Sequence, residues 1–163
     1  MTDDPIIDGN EFRRVLGHFP TGVTVVTANT ENGPIGVAIG SFASISLDPP
    51  LVGFFLGTES GSGAGIKSAG HFCVNILGRQ QLELCGLMAS KGDDKFSGVE
   101  WTPGVGTGAP VLPDILAVID CRLESVVEAG DHDLYIGRVL HLDTIEDTDP
   151  MVFHRGQYGT FAS

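Results

Sequence analysis

Three groups of residues in this chain carry side chains that could do chemistry. The first is Ala38-Ile39-Gly40-Ser41-Phe42-Ala43-Ser44, read together with Ser60 and Ser62 in the glycine-rich loop that follows Leu56. The second is Lys95-Phe96, and the third is His132 with the tail His154-Arg155-Gly156-Gln157-Tyr158. Small residues let a backbone approach a ligand closely, and hydroxyls offer donors to an anion without adding charge. A loop that exposes N–H groups just before a helix favours a phosphate. Together the pieces fit a flat, amphipathic anion: room for a ring system, hydroxyls and a lysine for a phosphate, an aromatic for packing. Each group also has a plain structural reading. Gly36 to Val52 is equally a strand, a turn and a strand, and the glycine-serine loop is equally a linker. Lys95 can balance Asp93 and Asp94 in solvent, Arg155 can pair with a surface carboxylate, and His132 can be a turn residue with a polar partner.

Other chemistries fit poorly. Gly40-Ser41-Phe42 lacks the G-x-S-x-G elbow of a serine hydrolase. His132 and His141 are an odd number of residues apart, which puts them on opposite faces of an unbulged strand and argues against zinc. Gly61-Ser62-Gly63 is not held between a strand and a helix of a βαβ unit, so the dinucleotide fingerprint is missing.

The elements that must position these groups are mostly strands. Phe12, Val15, Leu16 and Phe19 fall at helical spacing, which predicts a short amphipathic helix over Asn10 to His18, capped by Asp8 or Asn10 and ended by Pro20. Gly22 to Ala28 is rich in Val and Thr, and Asn32-Gly33 predicts a hairpin turn into a strand from Ile35. Asp48-Pro49-Pro50 marks a turn or strand start before a fresh strand over Leu51 to Leu56. The loop to Gly65 reads as irregular until about Ala64, then offers one helical turn. His71 to Leu77 is a buried strand, Gln80 to Ala89 a helix, and Gly104 to Pro113 a connector without periodicity. From Ile115 to Val127 apolar residues alternate with Asp120, Arg122 and Glu124, the pattern of a long half-buried strand. Glu128 to Asp131 turns the chain, and Leu134 to Leu142 returns beside it. Bends at Gly137 and Gly53 suit a closed or split barrel. The tail from Met151 reads as too short for an element of its own, so it must lie on the body or on a second subunit.

Composition bounds the class. The 163 residues are the length of one domain, and 23 glycines with nine prolines favour a β-rich barrel over a helical bundle. Nine Lys and Arg against 21 Asp and Glu give a net charge of −12, which argues against nucleic acid and anionic lipid. Apolar runs fall far short of the ~20 residues that span a bilayer, and the acidic start is unlike a secretion signal, so a soluble cytoplasmic protein is expected. Cys73, Cys85 and Cys121 are odd in number and set among apolar neighbours, as reduced core cysteines would be.

A resemblance sharpens the reading. The ordered blocks F-R-R-V-L-G-H-F-P-T-G-V-T-V-V-T, S-F-A-S-I-S-L-D-P-P-L-V, A-G-H-F-C-V-N-I-L, D-K-F-S-G-V-E-W, G-A-P-V-L, G-D-H-D-L-Y-I-G-R-V and H-R-G-Q-Y-G closely resemble the short-chain flavin reductases, the reductase components of two-component flavin-dependent monooxygenases. The likeness runs from about Phe12 to Gly159 and rests on seven blocks in order. It implies a mostly β fold, a split β-barrel with a few short helices. It also implies a homodimer that binds FMN or FAD near the subunit interface, uses NADH or NADPH, and supplies reduced flavin to a partner monooxygenase. By position, Ala38, Ile39, Gly40, Ser41, Phe42 and Ser44 would wrap the ribityl chain and ring edge. Lys95 and Phe96 would hold the phosphate end and the ring's surroundings. His132 is similar to the histidine on the nicotinamide side, and His154 to Tyr158 to the tail segment that meets the pyridine nucleotide. Two departures stand out: position 40 usually carries a larger polar side chain, and Ser60 and Ser62 flank the places expected for the loop hydroxyls. A non-catalytic FMN-binding protein and an FMN-dependent oxidase share the same barrel.

Overall fold

A computed structural model of the chain describes residues 4–161. The Asp8 carboxylate accepts from the backbone N–H groups of Asn10 and Glu11 at 2.9 and 3.1 Å and starts helix α1 (Gly9–Leu16). Strands β1 (Thr21–Gly22), β2 (Thr24–Thr30), β3 (Gly33–Ile39), β4 (Ala43–Leu47) and β5 (Pro50–Gly57) follow, with a cis Asp48-Pro49 bond at the turn before β5. Next come helix α2 (Gly61–Ala69), strand β6 (His71–Ile76) and helix α3 (Leu82–Ala89). Two short strands, β7 (Thr102–Pro103) and β8 (Pro110–Val111), lead to the long pair β9 (Ala117–Ala129) and β10 (His132–Thr144). Strands β11 (Met151–His154) and β12 (Gln157–Thr160) end the fold.

Seven strands form one antiparallel sheet in the order β3-β2-β6-β9-β10-β5-β4. Its two edges, β3 and β4, are consecutive in the chain and are joined by Gly40, Ser41 and Phe42 alone. Four Cα–Cα steps reach no further than about 15 Å, so the sheet must curl until its edges meet at this corner. No ladder joins β3 to β4, which leaves a barrel split along one seam.

Burial on both faces of β2 follows from this arrangement. Val26, Phe54, Phe72, Val74 and Tyr135 pack inside the curl, where Phe54 meets Phe72 edge-on at 5.0 Å and stacks on Tyr135 at 5.2 Å. Val25, Cys73, Cys85, Met88 and Ile115 form a second cluster outside it, under α3 and the connector before β9. Side chains one apart on β2 go to opposite clusters, as the period-2 geometry of a strand requires. Gly137 has no room for a Cβ because the Phe72 ring lies against it, and the β9–β10 register shifts at this residue. All three cysteines are free and buried; burial pushes the Cys121 thiol up to about 12 and the Cys73 thiol upward too.

Three expectations from the sequence are corrected. Helix α2 begins at Gly61, not near Ala64, because Ser60 caps it by accepting from Gly63 N at 3.2 Å while Gly63 and Ile66 are buried against the sheet. The tail forms an element after all: β11 and β12 are a hairpin turned by Arg155 and Gly156, at φ of 50° and 77°, and β11 pairs with β1. Asp120, read as facing solvent, is fully buried, because the Gly104–Ala109 loop folds over that face of β9. Its carboxylate accepts from the backbone of Gly106 at 2.7 Å and Thr107 at 2.9 Å, and from the Thr107 hydroxyl.

Candidate active site at the barrel seam

One side chain ties the corner Gly40-Ser41-Phe42 to β5. Ser41 Oγ accepts from Phe55 N at 2.9 Å and donates to Phe55 O at 3.2 Å, replacing the backbone partner that β5 lacks there. Gly40 and Ser41 are exposed, whereas Ile39 and Phe42 pack into the inner cluster and can offer a ligand only backbone. Ala38 belongs to the outer side with Phe96, and Ser44 is exposed on β4.

Alternation places other groups on the same outer surface. Phe55 lies between buried Phe54 and Leu56 and is 40% exposed. His132, at the start of β10, pairs in register with Gly57 and precedes buried Asp133. Strand spacing near 4.8 Å makes the run from β4 across β5 to β10 about 10 Å wide, the scale of a three-ring heterocycle. Asp131 Oδ1 holds His132 Nδ1 at 2.7 Å, and the imidazole keeps the Asp131 carboxyl below its usual range.

Three residues separate the end of β5 from the start of α2, so the helix N-terminus lies at the His132 end of this surface. Thr58 N donates to Asp131 O at 3.1 Å and fixes the two segments together. The first turn of α2 holds no acidic residue, though Glu59 stands just before the Ser60 cap, and such a helix end suits an anion. Ser60 Oγ accepts as the cap and keeps its own proton to donate; Ser62 is half-buried in the first turn.

A strut that the sequence did not single out holds α2 in place. Lys67 donates to Asp133 Oδ2 at 2.8 Å and lies 5.6 Å from the Tyr135 ring centre, and the carboxylate raises the lysine's pKa. Asp133 is 5% exposed. Replacing Lys67 with Met removes the cation from that buried carboxylate, and stability should fall. Urea melts of the variant and of a Lys67→Met/Asp133→Leu double variant check this: the double variant should recover most of the loss.

Lys95 is not free in solvent. Its ammonium donates to Met88 O at 2.8 Å and Gly36 O at 3.2 Å, tying the end of α3 to β3, and burial lowers its pKa. Helix α3 packs on the outer cluster and α2 on the inner one. Lys95 and the α2 N-terminus are therefore on opposite faces of β3 and meet only around its free edge.

The tail residues reach the corner through β1. Thr21 pairs with Phe153 in the ladder, and its hydroxyl lies 3.3 Å from where a Cβ on Gly40 would stand. Arg155 N donates to Gly17 O at 3.0 Å, docking the hairpin tip on the end of α1. His154, Arg155, Gly156, Gln157 and Tyr158 are all exposed, and Arg155 makes no ion pair among the described residues. Tyr158 lies 5.1 Å from the Phe153 ring, and the neighbouring Cys85 thiol together with burial raises its phenol. Two adjoining grooves lie elsewhere, one of about 510 Å³ along residues 99–102 and 111–113 and one of about 570 Å³ between α3 and residues 97–100. The seam itself is an open surface.

Sequence reasoning did not single out Phe55 or Thr21, which stand beside the corner. The Phe54-Phe55 pair in β5 carried the signal for the first, since alternation sends one ring inward and the other outward. Thr21 stands in the F-P-T-G-V block but had no visible partner until β1 and the corner were placed side by side.

Known proteins share this scaffold. The flavin reductase like domain matches residues 16–162. A flavin reductase from Pseudomonas putida is 48% identical over 158 residues, covering 96% of this chain and 92% of its own length. The reductase subunit of a flavin-dependent monooxygenase from Rhodococcus jostii is 47% identical over 152 residues, covering 93% and 77%. In three dimensions, component B of nitrilotriacetate monooxygenase from Mycobacterium thermoresistibile superposes with a TM-score of 0.90 at 41% identity, covering 94% of this chain and 86% of that one. With its family-wide match, its split barrel and its open seam, the chain belongs to the flavin reductase family.

Proposed function

We propose that this protein is a flavin reductase that takes hydride from NADH, passes it to FMN or FAD held at the seam, and supplies the reduced flavin to a partner monooxygenase. The observation that carries the reading is the open outer surface from Gly40 past Ser41 and Phe55 to His132, with the acid-free first turn of α2 at one end. These residues fit a flavin: the glycine lets the ring approach the backbone, the phenyl ring offers packing, and the helix start suits the phosphate. Bound there, the flavin supplies the redox chemistry, accepting at N5 the hydride carried on C4 of the nicotinamide.

The chain's own task is to hold two flat rings face to face, and no side-chain acid or base is needed for the transfer itself. His132, steadied by Asp131, orients the nicotinamide, and the His154–Tyr158 hairpin borders the pyridine nucleotide. The α2 N-terminus with Ser60 and Ser62 is the better phosphate holder, because Lys95 already donates to two carbonyls. NADH is favoured over NADPH, since the extra 2′-phosphate of NADPH adds charge to a ligand of a protein at −12. Replacing His132 with Ala should raise KM for NADH by about ten-fold, the scale of one hydrogen bond to a charged or strongly polar group, with little change in the KM for flavin. Steady-state kinetics with each substrate varied in turn check the split.

A homodimer completes the site in this reading. None of the residues of α1 is buried; Phe12, Val15 and Leu16 are half exposed and Phe19 is 73% exposed. That apolar face adjoins the tail hairpin and the seam, so a second copy laid over it would also cover the bound flavin. Sedimentation equilibrium should give twice the mass of one chain, and Phe12→Glu should shift it toward the monomer while weakening flavin binding. Exposed apolar surface could equally serve a non-catalytic flavin store, and flavin-dependent NADH turnover separates the two.

A further inference from the structure

Helix α3 is apolar on more than its core side. Cys85 and Met88 are buried in the outer cluster, yet Leu82 is 52% exposed and Leu87 37% exposed, and Glu83 is the one charged residue of its eight. A helix of that composition is ordinarily covered all round. Its uncovered side walls one groove, with Leu84 and Leu87 facing Val99, and the second groove continues along Trp101 and Val111. The two share Val99, Glu100 and Pro113, so they form one trough, and the chain's single tryptophan lines it.

The charge around this trough has one sign. Glu83, Glu100 and Asp114 reach it from three separate segments, all three are exposed, and no lysine or arginine lines either groove. None of these carboxylates has an ion-pair partner among the described residues. Negative charges around an apolar floor suit an occupant that brings apolar side chains flanked by lysine or arginine. A second copy of this chain is a poor match, because it arrives with a net charge of −12 of its own. The trough also lies close to the seam. Lys95 donates to Gly36 O on β3 at 3.2 Å, and the groove wall begins two residues later at Ser97. Two residues span about 7 Å at most, so the groove opens beside the β3 edge while no residue of the corner lines it.

We propose that this trough is the docking site for the partner that receives reduced flavin, an oxygenase presenting a basic segment with apolar anchors. The proposal rests on the reading of this protein as a supplier of reduced flavin. A partner held here stands beside the seam where the flavin is released. Its local concentration there exceeds that of free oxygenase in solution, and oxygen has less time to reoxidise the flavin in transit. The carboxylates steer the approach, and the leucine and tryptophan surface holds the segment once it is seated.

The test uses Trp101 as reporter, since no other tryptophan contributes to the emission. The probe is a synthetic amphipathic helix of about 15 residues with leucines on one face and lysines on the other. Its counterpart carries glutamates in place of the lysines, and neither contains tryptophan. Titrated into flavin-free protein at low salt, the lysine peptide should shift the Trp101 emission to the blue and saturate, and the glutamate peptide should leave it unchanged. Glu83→Gln/Glu100→Gln should weaken binding about five-fold, the scale of two exposed ion pairs. Glu31→Gln/Glu128→Gln makes the same change in net charge away from the groove and should bind within about two-fold of wild type. Leu87→Ala should weaken binding about five-fold through lost apolar burial. Unchanged affinity in the groove variants, equal weakening in both double variants, a response to both peptides or no response of Trp101 overturns the inference. So does an emission that depends on protein concentration without peptide, which would give the trough to a second copy. Flavin-dependent NADH turnover of the same samples should be unchanged in the groove variants. Its absence in wild type would remove the flavin-supplier reading instead, whatever Trp101 reports.

Discussion

Replacing Gly63 with Val should raise the KM for FMN by at least about ten-fold while changing that for lumiflavin, which has no phosphate, much less. Gly63 lies in the first turn of α2 with the Tyr135 hydroxyl directly against the place a Cβ would take. Tyr135 is 1% exposed, stacked on Phe54, and cannot give way. The helix start has to move instead, and it carries the Ser60 cap, Ser62 and the free N–H groups assigned to the phosphate. A displacement near 1 Å is enough to misalign such a site by this factor. Gly86→Ala is the matched control: it lies in α3 with nothing within 4 Å of its Cβ position, so it should gain up to about 1 kcal/mol of helix stability and leave both KM values alone. Parallel shifts for FMN and lumiflavin in Gly63→Val would take the phosphate away from α2.

The largest loss of stability is expected at Asp120. Its carboxylate accepts two backbone N–H groups and the Thr107 hydroxyl in a fully buried position, holding the Gly104–Ala109 loop against β9. Asp120→Ala leaves those donors unpaired and should cost about 3–4 kcal/mol, or roughly 10 °C in melting temperature for a chain of this size. The loop is far from the seam in the sheet order, with β10 and β5 between β9 and β4. Flavin affinity measured well below the melting point should therefore stay within about two-fold of wild type. Circular dichroism melts and fluorescence quenching at 15 °C would separate the two effects. A large loss of affinity in the folded variant would mean that the site extends to this loop.

What the sequence revealed and what it hid have physical reasons. Strands β2 and β3 were legible because Val and Thr cluster around an Asn32-Gly33 turn, and β9 with β10 because a long alternating run is followed by a turn and a partner. Helix α2 was hidden by its own packing needs. Gly63 and Gly65 are small because Tyr135 and Ile35 press against them, and the resulting composition imitates a linker. The tail hairpin escaped notice because its turn is Arg155-Gly156, with an arginine at positive φ where asparagine is the usual signal. Asp120 was misassigned since alternation separates two faces of a strand but cannot say that a loop will cover the polar one. At the candidate site, the corner and His132 could be named from residue types, yet only the curl of the sheet shows that Ile39 and Phe42 turn inward while Phe55 is exposed beside the corner.

The account's central claim is tested most directly by one titration: purified protein with excess NADH, to which FMN, FAD or riboflavin is added in substoichiometric steps while absorbance at the nicotinamide band is followed. The account predicts that NADH is consumed in many turnovers per protein, at a rate that depends on the added flavin and saturates, with oxygen reoxidising the released product. A protein that binds the flavin, turns yellow and leaves NADH untouched would contradict it.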